Sequence, residues 1–221
     1  MNNKRAVSRT AVALSAAAVM VAALPAMAPA KSVKVKNGTY KGSVLGNSGD
    51  EGGDYRTPMT LSVSKGMVSK LVLKSFPLWA VPQPAGVSSG TVSPAACQQA
   101  GTAPGSGYAP TITVRFNTTT EGGAVKISKK GSFSANGAFG TGVAGSPIAS
   151  VTYAVGSNAP ATAGATQLAF NGKFSSSKKA KGRLSGLTIQ MGAGVEKFTC
   201  SAFWATGAGQ YTDWGIPSAP K

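Results

Sequence analysis

Histidine is absent from all 221 residues of this chain. Without imidazole there is no Ser-His-Asp or Cys-His relay and no His-based zinc site. Acids are scarce too, six against 22 lysines and arginines, and any carboxylate chemistry must be drawn from Asp50, Glu51, Asp54, Glu121, Glu196 and Asp213. Cysteine occurs twice, as Cys97 and Cys200. Beyond residue 30 no window longer than a few residues carries apolar side chains at the i, i+3, i+4, i+7 spacing of an amphipathic helix. Gly, Ser, Thr and Val are abundant there instead, which predicts a fold with almost no helix.

What is present begins with an export signature. Lys4, Arg5 and Arg9 precede an apolar run from Ala11 to Leu24, which Pro25 ends. A charged start followed by a short apolar stretch is the grammar of a secretory signal. The run falls short of the ~20 residues of a membrane-spanning helix, so no transmembrane segment is expected. Ala28 and Ala30 form an A-x-A pattern, and cleavage is expected after Ala30 because a cut after Ala28 would place Pro29 behind the scissile bond. A signal peptide over 1–30 leaves one domain over 31–221, located outside the cytoplasm, in a periplasm or at the cell surface. Of the 22 basic residues the signal takes three, so against six acids the mature chain carries +13. Two cysteines in an exported chain predict a Cys97–Cys200 disulfide. Closing a loop of about a hundred residues would stabilise the fold by ~4 to 5 kcal/mol on the chain-entropy argument.

Period-two alternation recurs along the mature chain. Met59, Leu61 and Val63 share one parity, as do Ile112, Val114 and Phe116, then Leu168, Phe170 and Phe174, then Phe198, Cys200, Ala202 and Trp204. About nine strands are expected, near 38–45, 58–64, 67–76, 110–117, 123–128, 148–155, 166–174, 182–190 and 197–206. Lys65-Gly66, Glu121-Gly122-Gly123, Lys130-Gly131 and the run from Ser175 to Lys181 read as hairpin turns. Leu184 lies on one parity and Leu187, Ile189 and Met191 on the other, which predicts a bulge at Ser185-Gly186. The expected fold class is all-β, a single antiparallel sandwich or barrel. Residues 77–110 read as a long loop and 207–221 as an irregular tail.

Phe170-Asn171-Gly172-Lys173-Phe174, Ala180-Lys181-Gly182-Arg183-Leu184 and then Cys200 with Trp204-Ala205 form an F-x-G-x-F, A-x-G-x-L, C...W-x-A pattern. This resembles small secreted bacterial β-domains. The likeness extends faintly to Gly38-Thr39-Tyr40-Lys41-Gly42. It implies fold and export, and it transfers no activity and no site residue.

Two lysine clusters fall at expected hairpin tips: Lys126, Lys129 and Lys130, and Lys178, Lys179 and Lys181 with Arg183. Should both hairpins project from the same end, they form one cationic surface suited to teichoic acid, lipid headgroups, acidic polysaccharide or nucleic acid. The alternative is that lysines at turns discourage edge-to-edge aggregation. No interleaving of aromatic and basic residues marks a nucleic-acid reader. Trp79, set among prolines in Phe76-Pro77-Leu78-Trp79, is a candidate partner contact. The alternative is that Phe76 and Trp79 fold back over the core. Asp50-Glu51-Gly52-Gly53-Asp54 lacks the spacing of known calcium loops and reads as a solvated turn. No metal and no cofactor is therefore expected. The expected function is non-catalytic binding of an anionic polymer or membrane surface through basic residues. A carboxylate hydrolase of envelope polymers, or a barrel holding a small apolar ligand, are the alternatives.

Overall fold

The computed structural model describes residues 32–47, 54–80, 109–119, 123–140, 143–155, 159–192, 198–202 and 212–216. All of them belong to the unit Lys31–Lys221. Residues 1–30, expected to be a signal peptide, lie outside the described residues, as do Cys97 and Trp204.

Every regular element among the described residues is a strand, and every pairing is antiparallel. Strand β1 (Gly38–Asn47) pairs with β2 (Asp54–Ser64), β2 with β3 (Met67–Leu73) and β3 with β5 (Thr111–Phe116). Here β4 is Trp79–Ala80. Strand β5 pairs with β8 (Ile148–Ala154), which pairs with β9 (Ala161–Thr162). That run has six strands. A second run of four is centred on β10 (Thr166–Phe174) and β11 (Ala180–Met191), with β6 (Ser132–Ser134) and β7 (Gly137–Phe139) along the other edge of β10. Two short strands extend it, β12 (Phe198–Ser201) on β11 and β4 on β12. Strand β13 (Thr212–Ile216) lies between β11 and β1 and pairs with both.

The alternation translates directly into burial. Tyr40 opposite Leu61 and Leu61 opposite Leu71 stack their side chains on one face, and all three are fully buried. From the other run Phe170, Phe174, Leu184, Leu187 and Ile189 enter the same apolar cluster. The Tyr40 and Phe174 rings meet edge-on with centroids 5.2 Å apart, the geometry that the ring quadrupoles favour. Each such fully buried side chain stabilises the fold by roughly 1.5–3 kcal/mol relative to exposure.

The Ser185-Gly186 irregularity is present. Ala169 pairs with Gly186 and Phe170 with Leu184, so Ser185 is the extra residue, and Leu184, Leu187, Ile189 and Met191 are all buried. Two similar shifts escape the strand-by-strand reading. Ser69 is extra between the Ser62–Lys70 and Val63–Val68 pairs, and Ala149 between Arg115–Ser150 and Phe116–Ile148. Both return apolar residues of opposite parity to the core, Val68 with Leu71 in one case and Ile148 with Val151 in the other.

Several expectations are corrected. The strands at the ends of the hydrogen-bonded order, β4 and β9, do not pair, so the sheet is not a closed barrel. Its core among the described residues is filled by Tyr40, Phe76, Phe170, Phe174 and Leu, Ile and Met side chains. The stretch 123–128 is no strand; it makes one bridge, Lys126 to Met67, beside the β2–β3 turn. The tail expected to be irregular contributes β13, and the expected loop contributes β4. The remainder of that loop, 81–108, is outside the described residues. Among the described residues no helix is long and apolar enough to cross a membrane.

Candidate anion-binding surface

Four lysine-bearing segments are tied together at one end of the strands. Lys65 and Gly66 form the two-residue turn between β2 and β3, with φ of +51° and +72°. That pair of positive angles matches the strand twist in a tight hairpin, and glycine at the second position carries no side-chain strain. Ile127 donates its N–H to the Gly66 carbonyl at 2.9 Å, which docks Lys126 beside Lys65. Three residues on, Val33 donates to the Lys129 carbonyl at 2.9 Å, bringing in the segment with Lys34 and Lys36. Gly131 then accepts the Phe174 N–H at 3.0 Å, so Lys129 and Lys130 abut the end of β10. A β-carbon at Gly131 would stand 2.4 Å from the Phe174 carbonyl oxygen, an overlap that reserves this approach for glycine.

The β10–β11 turn completes the surface. Ser175 donates to the Lys179 carbonyl at 2.9 Å, and the Ser176 hydroxyl accepts the N–H groups of Lys178 and Lys179 at 3.2 and 3.1 Å. Serine here does in side-chain form what a backbone carbonyl does in a regular turn. Buried Tyr40 fastens the ends from below, its hydroxyl donating to the Lys36 carbonyl at 2.8 Å, with the Ser177 carbonyl 3.3 Å away. Burial pushes the Tyr40 hydroxyl above its ordinary pKa. Lys34, Lys36, Lys65, Lys126, Lys129, Lys130, Lys178 and Lys179 are all exposed. The two acids whose backbone is described lie towards the other end of β1, Asp54 paired with Asn47 and Asp213 with Leu45.

Lys181 and Arg183 belong elsewhere, on the outward face of β10 and β11. Lys173 pairs directly with Lys181 and Asn171 with Arg183, and the four surround an open depression of about 570 Å³. Its remaining lining, Phe133, Gly172 and Gly182, is in register and of opposite parity, so it presents main chain as the floor. Arg183 is also opposite Asp213 of β13. Like charges directly opposed on one face are unfavourable, and neither Lys173 nor Lys181 has an ion-pair partner among the described residues.

The two expected lysine clusters thus meet at one end, except that Lys181 and Arg183 line the adjacent sheet face. Reading by clusters missed Lys34, Lys36, Lys65, Lys173 and Asn171. Hairpin symmetry held the signal for the last two: Lys173 and Lys181 are equidistant from Ser177, and so are Asn171 and Arg183. The backbone of Trp79 pairs with Ser201, and its side chain is outside the described residues; its neighbours Phe76 and Leu78 are fully buried. Cys200 is fully buried, with its Sγ 3.2 Å from the Met191 Sδ. Asp50, Glu51, Glu121 and Glu196 are outside the described residues. Among the described residues no three His, Cys, Asp or Glu side chains are grouped to hold a metal ion. Compared with known proteins, the chain matches no family model, no curated protein and no solved structure.

Proposed function

We propose that this is an exported, non-catalytic β-domain that holds an anionic polymer of the envelope or extracellular space against its lysine-bearing end. The observation that carries the reading is the hydrogen-bonded convergence of the 32–36, 65–66, 126–131 and 175–179 segments, each presenting exposed lysine. Nothing in fold stability calls for eight exposed cations at one end; mutual repulsion opposes it. A surface of this kind attracts polyanions over several ångströms and recognises charge density rather than sequence. The Cys97–Cys200 disulfide, a two-layered sandwich packing and export past a cleaved signal are part of the same proposal, because an envelope-exposed domain gains from all three.

Salt separates this reading from its rivals. Retention on a teichoic acid or heparin-like matrix at low ionic strength should fall steeply as the Debye length shrinks from ~10 Å at 0.1 M to ~3 Å at 1 M. A variant with Lys34, Lys36, Lys129, Lys130, Lys178 and Lys179 changed to Gln should elute at clearly lower salt than wild type, by more than any six lysines changed elsewhere. Equal retention of that variant would reject the assignment of the end. Preference for anionic lipid vesicles over soluble polymer would move the partner to a membrane surface. Turnover of a glycan or ester substrate that Asp54→Asn or Asp213→Asn abolishes would replace the proposal with the hydrolase.

A further inference from the structure

We infer that the depression between β10 and β11 is a discrete phosphate site, and that it takes a phosphorylated polyol or sugar unit. The inference rests on the anionic-partner reading above and names the chemical group recognised beside the lysine-bearing end. Lys173 and Lys181 are direct cross-strand partners on the outward face. Their β-carbons are therefore about 5 Å apart, and the Asn171–Arg183 pair follows one side-chain repeat along the same face, about 7 Å away. A rectangle of that size matches one tetrahedral oxyanion with its oxygens, not an extended run of charges. The main-chain floor at Gly172 and Gly182 lets such a group settle between the side chains.

Charge selects the anion. Lys173 and Lys181 face each other directly across the strands, so each calls for a countercharge between them. A phosphate monoester carries about −1.5 to −2 at neutral pH, which balances them, whereas a single carboxylate leaves one ammonium opposed to another. The same outward face continues past Ser185 into a second open depression of about 290 Å³, lined by Ala138, Gln167, Ala169, Gly186 and Thr188 among others. Small side chains leave room there, and a carboxamide and a hydroxyl supply neutral donors and acceptors. No formal charge lines it. That combination suits the hydroxyl-bearing portion attached to the phosphate.

The test is a titration of the mature protein with glycerol 3-phosphate, followed by amide chemical shifts at constant ionic strength, with glycerol as the uncharged control. Saturable shifts should concentrate at 171–173 and 181–183 and extend to 167–169 and 186–188. Lys173→Gln with Lys181→Gln should weaken binding at least tenfold, and the double change to Arg should restore it to within about threefold. Tighter binding of a glycerol phosphate oligomer ending in phosphate would assign the site to a polymer, and equal binding to the free compound, each consistent with the inference. Shifts that do not saturate, that spread evenly to Lys129 and Lys178, or that survive the double Gln change overturn it. With retention on polyanion matrices intact, such a result would sink the phosphate site alone; loss of wild-type retention would sink the broader reading.

Discussion

The two faces of the β10–β11 hairpin obey opposite rules. Inward, Phe170 faces Leu184 and Phe174 faces Ala180, all buried, so each cross-strand pair adds packing. Outward, Lys173 faces Lys181, and like charges directly opposite each other oppose folding. The motif positions F-x-G-x-F and A-x-G-x-L specify the inner face and the floor, while the x positions, Asn171, Lys173, Lys181 and Arg183, place polar and charged side chains on the outer face. One ladder register thus fixes a core and a charged basin at once. It follows that substitutions on the two faces should move stability in opposite directions.

The largest effect tests the inner register. Deleting Thr188 shifts Ile189 and Met191, both fully buried, to the outward face; at roughly 1.5–3 kcal/mol each, the loss is on the order of 3–6 kcal/mol in urea unfolding. Deleting Ser185 instead removes only the extra residue and keeps Leu184 and Leu187 inward, so the domain should still fold with a change of about 1 kcal/mol. Equal damage from both deletions would break the register account. Next in size, Phe174→Ala removes a ring that touches Tyr40 and Phe133 and should cost about 3–5 kcal/mol.

Tyr40→Phe is smaller, about 1 kcal/mol for the lost hydrogen bond. It also carries a pH signature. The Tyr40 pKa is raised by burial, so the folded state holds this proton more tightly than the unfolded one. Its contribution is fully present below the ordinary tyrosine pKa and is lost as pH rises from there through the folded value. Wild type minus Tyr40→Phe stability, measured between neutral pH and the alkaline range, should therefore shrink at the alkaline end. A flat difference would contradict it. The smallest effect is the opposite in sign: Lys173→Gln should raise stability by about 0.2–1 kcal/mol by removing the facing charge. A decrease would mean that Lys173 has a stabilising role the register does not show.

Much of this was legible before any coordinates. The parity break at Leu184 gives away its bulge because four apolar residues straddle it, and the strands over 38–45, 58–64 and 166–174 follow from alternation. The 123–128 stretch misled because Val125 and Ile127 alternate like a strand although the segment only crosses the β2–β3 turn. Strands β6, β7 and β9 are too short for any period to register, and β13 has only Trp214 and Ile216 on one parity within five residues, too little to mark a strand in a tail that closes with prolines. The meeting of the two lysine clusters depends on Gly131 docking at Phe174, a contact between residues far apart in the chain that no local pattern shows. Lys34 and Lys36 look isolated in sequence for the same reason: only the Val33–Lys129 and Tyr40–Lys36 hydrogen bonds place them.

The central claim is that lysines on four converging segments act together as one polyanion-binding surface. The most direct measurement is the dependence of binding on salt, log K against log salt, for one polyanion and three proteins: wild type, the variant with six end lysines changed to Gln, and the Lys173→Gln, Lys181→Gln double variant. Expected are a steep negative slope for wild type, a slope reduced by up to the six removed charges for the six-lysine variant, and a smaller reduction, by no more than the two removed charges, for the double variant. A six-lysine variant that keeps the wild-type slope would contradict that claim.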